Sequence, residues 1–296
     1  MANVSGWSDR MDVNERVERA LVRHLRDRAR PSKLAAAVDH ALFPGGARVR
    51  PCLAVGIAIA CGDDRPQVTD AVAVAVEALH CASLVHDDLP CFDDAAVRRG
   101  RPSVHAAHGE AMAVLAGDAL IVLAFQALSD VSAEAGERLP ALLSIVADSA
   151  GMPGGLVSGQ ALEAEEVCVL EGYHMAKTGA LFIAAAAGGA AAAGGDVALW
   201  RRVGEGLGAA YQIADDIHDR AGASGSLGKP TGQDALNARP NAVDAYGLDG
   251  AVARLKSLIE ETAASVPDSE AAAPLRRLIR AQVDRFVPAH LQAAIA

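Results

Sequence analysis

The chain has 296 residues, 51% of them hydrophobic but only 3% aromatic, with a formal net charge of −10. That length admits one large domain or two ordinary ones, with a core burying roughly three-quarters of the unfolded surface. The acidic balance argues against a nucleic-acid surface, which needs a basic field, but it leaves room for a local basic lining around an anionic small molecule.

In chain order, the first 30 residues, MANVSGWSDRMDVNERVERALVRHLRDRAR, are charged throughout and hold no apolar signal core. Val13, Val17, Leu21 and Leu25 fall on one stripe, which predicts an N-terminal helix. FPGGARVRP (43–51) sets glycines beside arginines, so backbone amides and guanidinium groups can approach an anion closely. Residues 68–89 read as a long helix starting at Thr69 or Asp70, and its apolar run leads into HDDLPCFDD (86–94). Further helices are expected at 108–131, 139–150, 154–165, 171–188, 196–219, 246–264 and 271–285. No alternating strand segments and no repeat are evident.

Glycine and proline clusters at 44–51, 100–102, 151–155 and 222–232 fall between these helices and read as loops of a single domain spanning 1–296. The polar stretch 220–241 directly follows a second acidic cluster; an active-site lid and an ordinary surface loop are both open readings. ALFIAAAAGGAAAAGG (180–195) is short and glycine-broken against the ~20 apolar residues of a spanning helix, so no membrane span is expected. Five cysteines (Cys52, Cys61, Cys81, Cys91, Cys168) form no CxxC pair, which fits free thiols in a reducing compartment, the cytoplasm.

The two acidic clusters carry the chemistry. In ADDIHD (214–219), Asp215 and Asp219 are four apart and share a helix face. Their repulsion in a cleft makes sense with a cation between them, and hard oxygens favour Mg²⁺, Mn²⁺ or Ca²⁺ over zinc. A solvated acidic face is the plainer reading of one such motif alone. The first cluster, with Asp87, Asp88 and Asp93, ends an apolar helix and is followed by Arg98 and Arg99, which suit bidentate pairing with carboxylate or phosphate. Two carboxylate walls of this kind could grip several Mg²⁺ ions and, through them, a diphosphate. A surface salt-bridge network is the alternative. Cys81 and Cys91 are expected to pack, and His218 to lie exposed.

Taken in order, GGARVRP, LHCASLVHDDLPCFDDAAVRRGRPSVH, LAGDAL, the Gln160 segment GQ, AKTGALF, YQIADDIHD and LGKPTGQD resemble the trans-isoprenyl diphosphate synthases from about residue 38 onward. The likeness is greatest to the bacterial geranylgeranyl type of carotenoid and bacteriochlorophyll pathways. It implies an all-α fold, an antiparallel helical bundle around a deep central cavity, and a homodimer. It implies Mg²⁺, with Mn²⁺ as a substitute, held by Asp87, Asp88, Asp93, Asp215, Asp216 and Asp219. Arg98, Lys177 and Lys229 would bind the allylic diphosphate, and Arg50, His80 and Arg99 the isopentenyl diphosphate. Lys177, Thr178 and Gln212 would stabilise an allylic cation. Ala47 stands where the family motif GGKRxRP carries lysine, which removes one cation from the isopentenyl diphosphate site.

The implied reaction is ionisation, condensation and elimination, yielding a C20 product. Residues four and five before Asp87, Ser83 and Ala82, lie about one turn deeper on the helix, and both are small. A large aromatic there would stop the chain at farnesyl length. The alternatives are a farnesyl or longer-chain synthase, a non-catalytic regulatory subunit, a terpene cyclase and a plain metal-binding helical protein. Intact acidic motifs and the basic residues weigh against the last three.

Overall fold

The computed structural model describes residues 5–26, 30–165, 170–220 and 241–282, with side chains from residue 13 onward except 26, 170, 171 and 219. Described elements are α1 (Ser5–Arg26), α2 (Ser32–Leu42), α3 (Val49–Ala60), α4 (Pro66–Asp87), β1 (Val97–Arg98), β2 (Arg101–Pro102), α5 (Val104–His108), α6 (Glu110–Asp130), α7 (Ser132–Ala135), α8 (Leu139–Ala150), α9 (Leu156–Ala161), α10 (Leu170–His174), α11 (Ala180–Ala192), α12 (Val197–Arg220), α13 (Ala242–Ser265) and α14 (Ala273–Arg280). The all-helical expectation holds except for the two-residue strands β1 and β2. They pair antiparallel as a hairpin whose turn residues, Arg99 and Gly100, both have positive φ (52° and 72°). Two-residue hairpin turns favour this geometry because it matches strand twist.

The chain forms two compact units, residues 1–147 with 187–196, and residues 148–186 with 197–296. In the first, α4 is buried on nearly all sides, from Val68 through Ala82 and Val85. A helix apolar all round belongs in a core, and each fully buried valine or leucine adds roughly 1.5–3 kcal/mol over exposure. Helices α1, α2, α3 and α6 pack around it. The predicted stripe of α1 buries Val17, Leu21 and Leu25. Arg16 ties α1 to the start of α4 through Asp63 (2.7 Å) and Asp70 (2.6 Å). Helix α4 begins at Pro66, earlier than Thr69 or Asp70: proline at N1 loses no hydrogen bond, and Thr69 Oγ1 instead donates to Asp63 (2.6 Å).

In the second unit, α12 buries Trp200, Val203, Leu207, Ala210, Ile213, Ala214 and Ile217, and packs against α13. Residues Met175–Gly179 form a π-helical turn between α10 and α11. The helix predicted at 171–188 is thus a compound element extending to Ala192.

By length and composition three helical segments are long and apolar enough to cross a membrane, longer than the 180–195 stretch weighed from the sequence: Pro66–Asp87, Glu110–Asp130 and Gly172–Ala192. Most of the apolar stretch is buried within the protein in the first and third, at 83% and 78%, but only 44% in α6. Val114, Leu115 and Val122 form an exposed apolar flank on α6.

Candidate active site

In the first unit, α4 delivers Asp87 and Asp88 at its C-terminus. The following loop folds back, with Asp93 N–H donating to the Asp87 carbonyl (3.0 Å) and Ala95 N–H to the Asp88 carbonyl (3.1 Å). These bonds bring the two ends of DDLPCFD together. Asp93 is part-exposed and Asp87 is buried. Asp88 is also buried. Arg98 Nε donates to its two oxygens (2.9 Å and 3.2 Å), and Arg98 Nη2 bonds Oδ1 as well and lies 3.7 Å from Asp87. Arg98, expected on the diphosphate, is therefore held against the first acidic motif.

Of Arg50, His80 and Arg99, the last two lie side by side, and the charge of Arg50 also reaches His80. Arg99 Nη1 donates to the Gly45 carbonyl (2.9 Å), and Arg99 Nη2 lies 3.5 Å from His80 Nε2. A guanidinium only donates, so Nε2 faces it as acceptor and the His80 proton sits on Nδ1. Burial, then the charges of Arg50 and Arg99, hold His80 well below its ordinary pKa and hence neutral. Gly46 permits this packing, because a Cβ there would lie 2.8 Å from Arg99 Nη1.

Arg48, in the same loop, has a structural role that the sequence did not reveal. Its buried guanidinium donates to Glu77 (2.6 Å), Glu18 (2.7 Å) and the Leu42 carbonyl (2.6 Å), with the backbone at φ 46°. It joins α1, α2 and α4 at the N-cap of α3, whose first turn carries Arg50. Of the chain-length pair, Ser83 is part-exposed with its hydroxyl on the His80 carbonyl (2.8 Å), whereas Ala82 is packed in the core at 2% exposure.

In the second unit, the π-helical turn sets the backbone of Lys177 and Thr178. Such turns interrupt regular helix bonding and recur at functional sites. Gly159 of α9 lies against this turn: a Cβ there would meet Lys177 N at 2.5 Å. Lys177 pairs with Glu163, which also accepts from Tyr173 Oη (2.8 Å). Glu163 was missed in the sequence, although it follows the quoted Gln160 by one helical turn. Thr178 Oγ1 donates to Gln212 Oε1 (2.6 Å), and Gln212 Nε2 donates to Asp216 Oδ1 (2.9 Å). Asp216 Oδ2 accepts from the Ala242 N–H (2.6 Å).

Asp215 is part-exposed on α12. His218 is buried at 7% exposure, correcting the expectation of an exposed residue: its position on α12 turns it inward beside Ile217. Cys91, expected to pack, is exposed on the loop after α4, past the end of the buried helix, while Cys81 is buried as expected. The Asp219 side chain, Lys229 and the stretch 221–240 lie outside the described residues.

Among the described residues no three histidine, cysteine or acidic side chains converge into a preformed metal cage. Asp87 with Asp93 in the first unit, and Asp215 in the second, nevertheless each offer carboxylate oxygens of a kind that fits Mg²⁺. That ion typically takes one or two carboxylates and fills its other positions with water and substrate phosphate.

A polyprenyl synthetase family model matches residues 31–275. The geranylgeranyl diphosphate synthase of Cereibacter sphaeroides is 48% identical over 265 residues, covering 90% of this chain and 92% of that protein. The solved geranyltransferase of Legionella pneumophila superposes with TM-score 0.82 at 28% identity, covering 95% of this chain and 98% of that one. A geranyltransferase of Helicobacter pylori, solved with magnesium and isoprenyl diphosphate, gives TM-score 0.76 at 29% identity and covers 97% of each chain. These matches agree with the ordered aspartate, arginine and lysine segments, and the chain belongs to the polyprenyl synthetase family.

Proposed function

We propose that the protein is a Mg²⁺-dependent geranylgeranyl diphosphate synthase that condenses isopentenyl diphosphate with allylic diphosphates. The observation that carries this reading is the closed first motif, in which a backbone bond brings Asp93 to Asp87 at the end of α4. The 48% identity to a protein named for this activity supports the product class. Asp87, Asp93 and Asp215 are the proposed direct ligands. Bound Mg²⁺ would supply the charge neutralisation that lets diphosphate leave an allylic carbon.

The chain's own residues do the rest. Arg98, Lys177 and Lys229 bind the allylic diphosphate. Arg50, His80 and Arg99 bind isopentenyl diphosphate, with neutral His80 offering Nδ1–H as a donor. The Lys177 and Thr178 carbonyls, in the π-helical turn, and the Gln212 amide stabilise the allylic cation. The double bond of isopentenyl diphosphate attacks that cation, and the released diphosphate takes the departing proton. A homodimer is part of the proposal, with the exposed flank of α6 as its contact, and so is a cytoplasmic location, supported by the free cysteines among the described residues.

Release of inorganic diphosphate tests the reading. It should require both substrates and Mg²⁺, stop with EDTA, and fall at least roughly 10²-fold in Asp87→Ala and Asp215→Ala. Undiminished release in both variants contradicts the proposed ligand roles.

A further inference from the structure

Asp216 belongs by sequence to the second acidic motif, but its surroundings are those of a scaffold group. The residue is 1% exposed. Oδ1 accepts from Gln212 Nε2 (2.9 Å), Oδ2 from the Ala242 N–H (2.6 Å), and His174 Nε2 lies 3.8 Å from Oδ2. Ala242 opens α13, so the carboxylate also sits at a helix N-terminus, where negative charge is favoured. Mg²⁺ sheds its waters reluctantly, and a side chain enclosed in this way has no open face for a hydrated ion.

The bond to Gln212 has a directional consequence. An ionised carboxylate only accepts, so the amide must turn its NH₂ toward Asp216. Its carbonyl oxygen then faces Thr178, at 2.6 Å from Oγ1. That oxygen only accepts, so the Thr178 hydroxyl must spend its proton on Gln212. The remaining Thr178 lone pairs are left pointing elsewhere, available to an electron-poor carbon. One buried charge thus fixes the polarity of two uncharged groups.

We propose that Asp216 is a positioning residue, not a metal ligand: it orients the Gln212 amide and, through it, presents Thr178 as an electron donor to the developing cation. The inference rests on the proposed prenyl-transfer reading, in which Thr178 and Gln212 line the reacting centre.

The test compares Asp216→Asn with Asp215→Asn, Thr178→Val and the double variant Thr178→Val/Asp216→Asn. Binding of Mn²⁺ with inorganic diphosphate is read by electron paramagnetic resonance, and kcat and KM are read separately. The expected result is that Asp216→Asn leaves Mn²⁺ affinity and allylic KM within about twofold while kcat falls roughly 10- to 100-fold. Asp215→Asn should weaken Mn²⁺ binding at least about tenfold. In the Thr178→Val background, Asp216→Asn should cost little more in kcat, because the orientation it supplies is already lost.

If Asp216→Asn does not fold, Gln212→Met carries the same comparison with the Ala242 bond intact, and should add little to Thr178→Val. Mn²⁺ affinity lost in Asp216→Asn as in Asp215→Asn overturns the inference, as do independent, multiplying losses in the double variant. Wild-type protein without prenyl transfer, or Asp215→Asn without effect on activity or Mn²⁺, would instead sink the underlying reading.

Discussion

Replacing Arg48 with alanine is the most quantitative test of how the GGARVRP segment is held. The side chain is 3% exposed and makes three separate bonds, from Nε to Glu18, Nη1 to Glu77 and Nη2 to the Leu42 carbonyl. Glu77 is equally enclosed at 3%, whereas the Glu18 side chain is 44% exposed. Removing one partner of a buried pair costs about 3–5 kcal/mol, because the remaining charge stays desolvated. The Glu18 share is below about 1 kcal/mol, since water replaces the contact.

The predicted loss is therefore about 3–5 kcal/mol in urea unfolding. At roughly 2 °C per kcal/mol for a large chain, this corresponds to about 6–10 °C in Tm. Glu18→Gln should move Tm by no more than about 2 °C. A volume-matched apolar pair, Arg48→Met with Glu77→Leu, should recover most of the loss. An Arg48→Ala protein with wild-type stability, or a Glu18→Gln loss equal to it, would refute the assignment of Arg48 to the scaffold.

Four further predictions rest on side chains already placed. Ser83→Phe, at a part-exposed position, should shift the dephosphorylated product from C20 towards C15 by chromatography. Ala82→Phe, at a packed position, should first cost about 1–3 kcal/mol in overpacking, read as a lowered urea midpoint. His80 is neutral in the fold with a depressed pKa, so the unfolded chain takes up its proton more readily. Stability should therefore be full above the ordinary value of about 6.5 and fall as pH drops below it, and His80→Gln should flatten that part of the urea stability profile. Gly159→Ala would place a Cβ 2.5 Å from Lys177 N, so it should displace the π-helical turn and lower kcat more than Tm.

What was legible in the sequence was set by periodicity and by charge against an apolar background. The run from Val68 to Val85 announces a buried helix, and its abrupt end in acids announces a site. The basic cluster of Arg50, His80 and Arg99 was legible only through the ordered motifs, since its members are far apart in the chain. The π-helical turn at Met175–Gly179 was not visible, because its residues continue the helical pattern and only the backbone bonding differs. Arg48 and Arg50 read alike in GGARVRP and both are buried, yet only the structure shows that Arg48, at positive φ, is tied to a glutamate from α4. Asp215 and Asp216 differ in the same way. Adjacent positions on a helix point about 100° apart, so an acidic pair can present one carboxylate outward and bury the other.

The most direct test of the central claim is product analysis. Purified protein is incubated with Mg²⁺, labelled isopentenyl diphosphate and, in turn, dimethylallyl, geranyl and farnesyl diphosphate, and the dephosphorylated products are resolved by chain length. The account predicts a C20 alcohol that disappears with EDTA and in Asp87→Ala. A dominant C15 product, or products of C30 and above, would contradict the geranylgeranyl assignment, and no elongation from any starter would contradict the synthase itself.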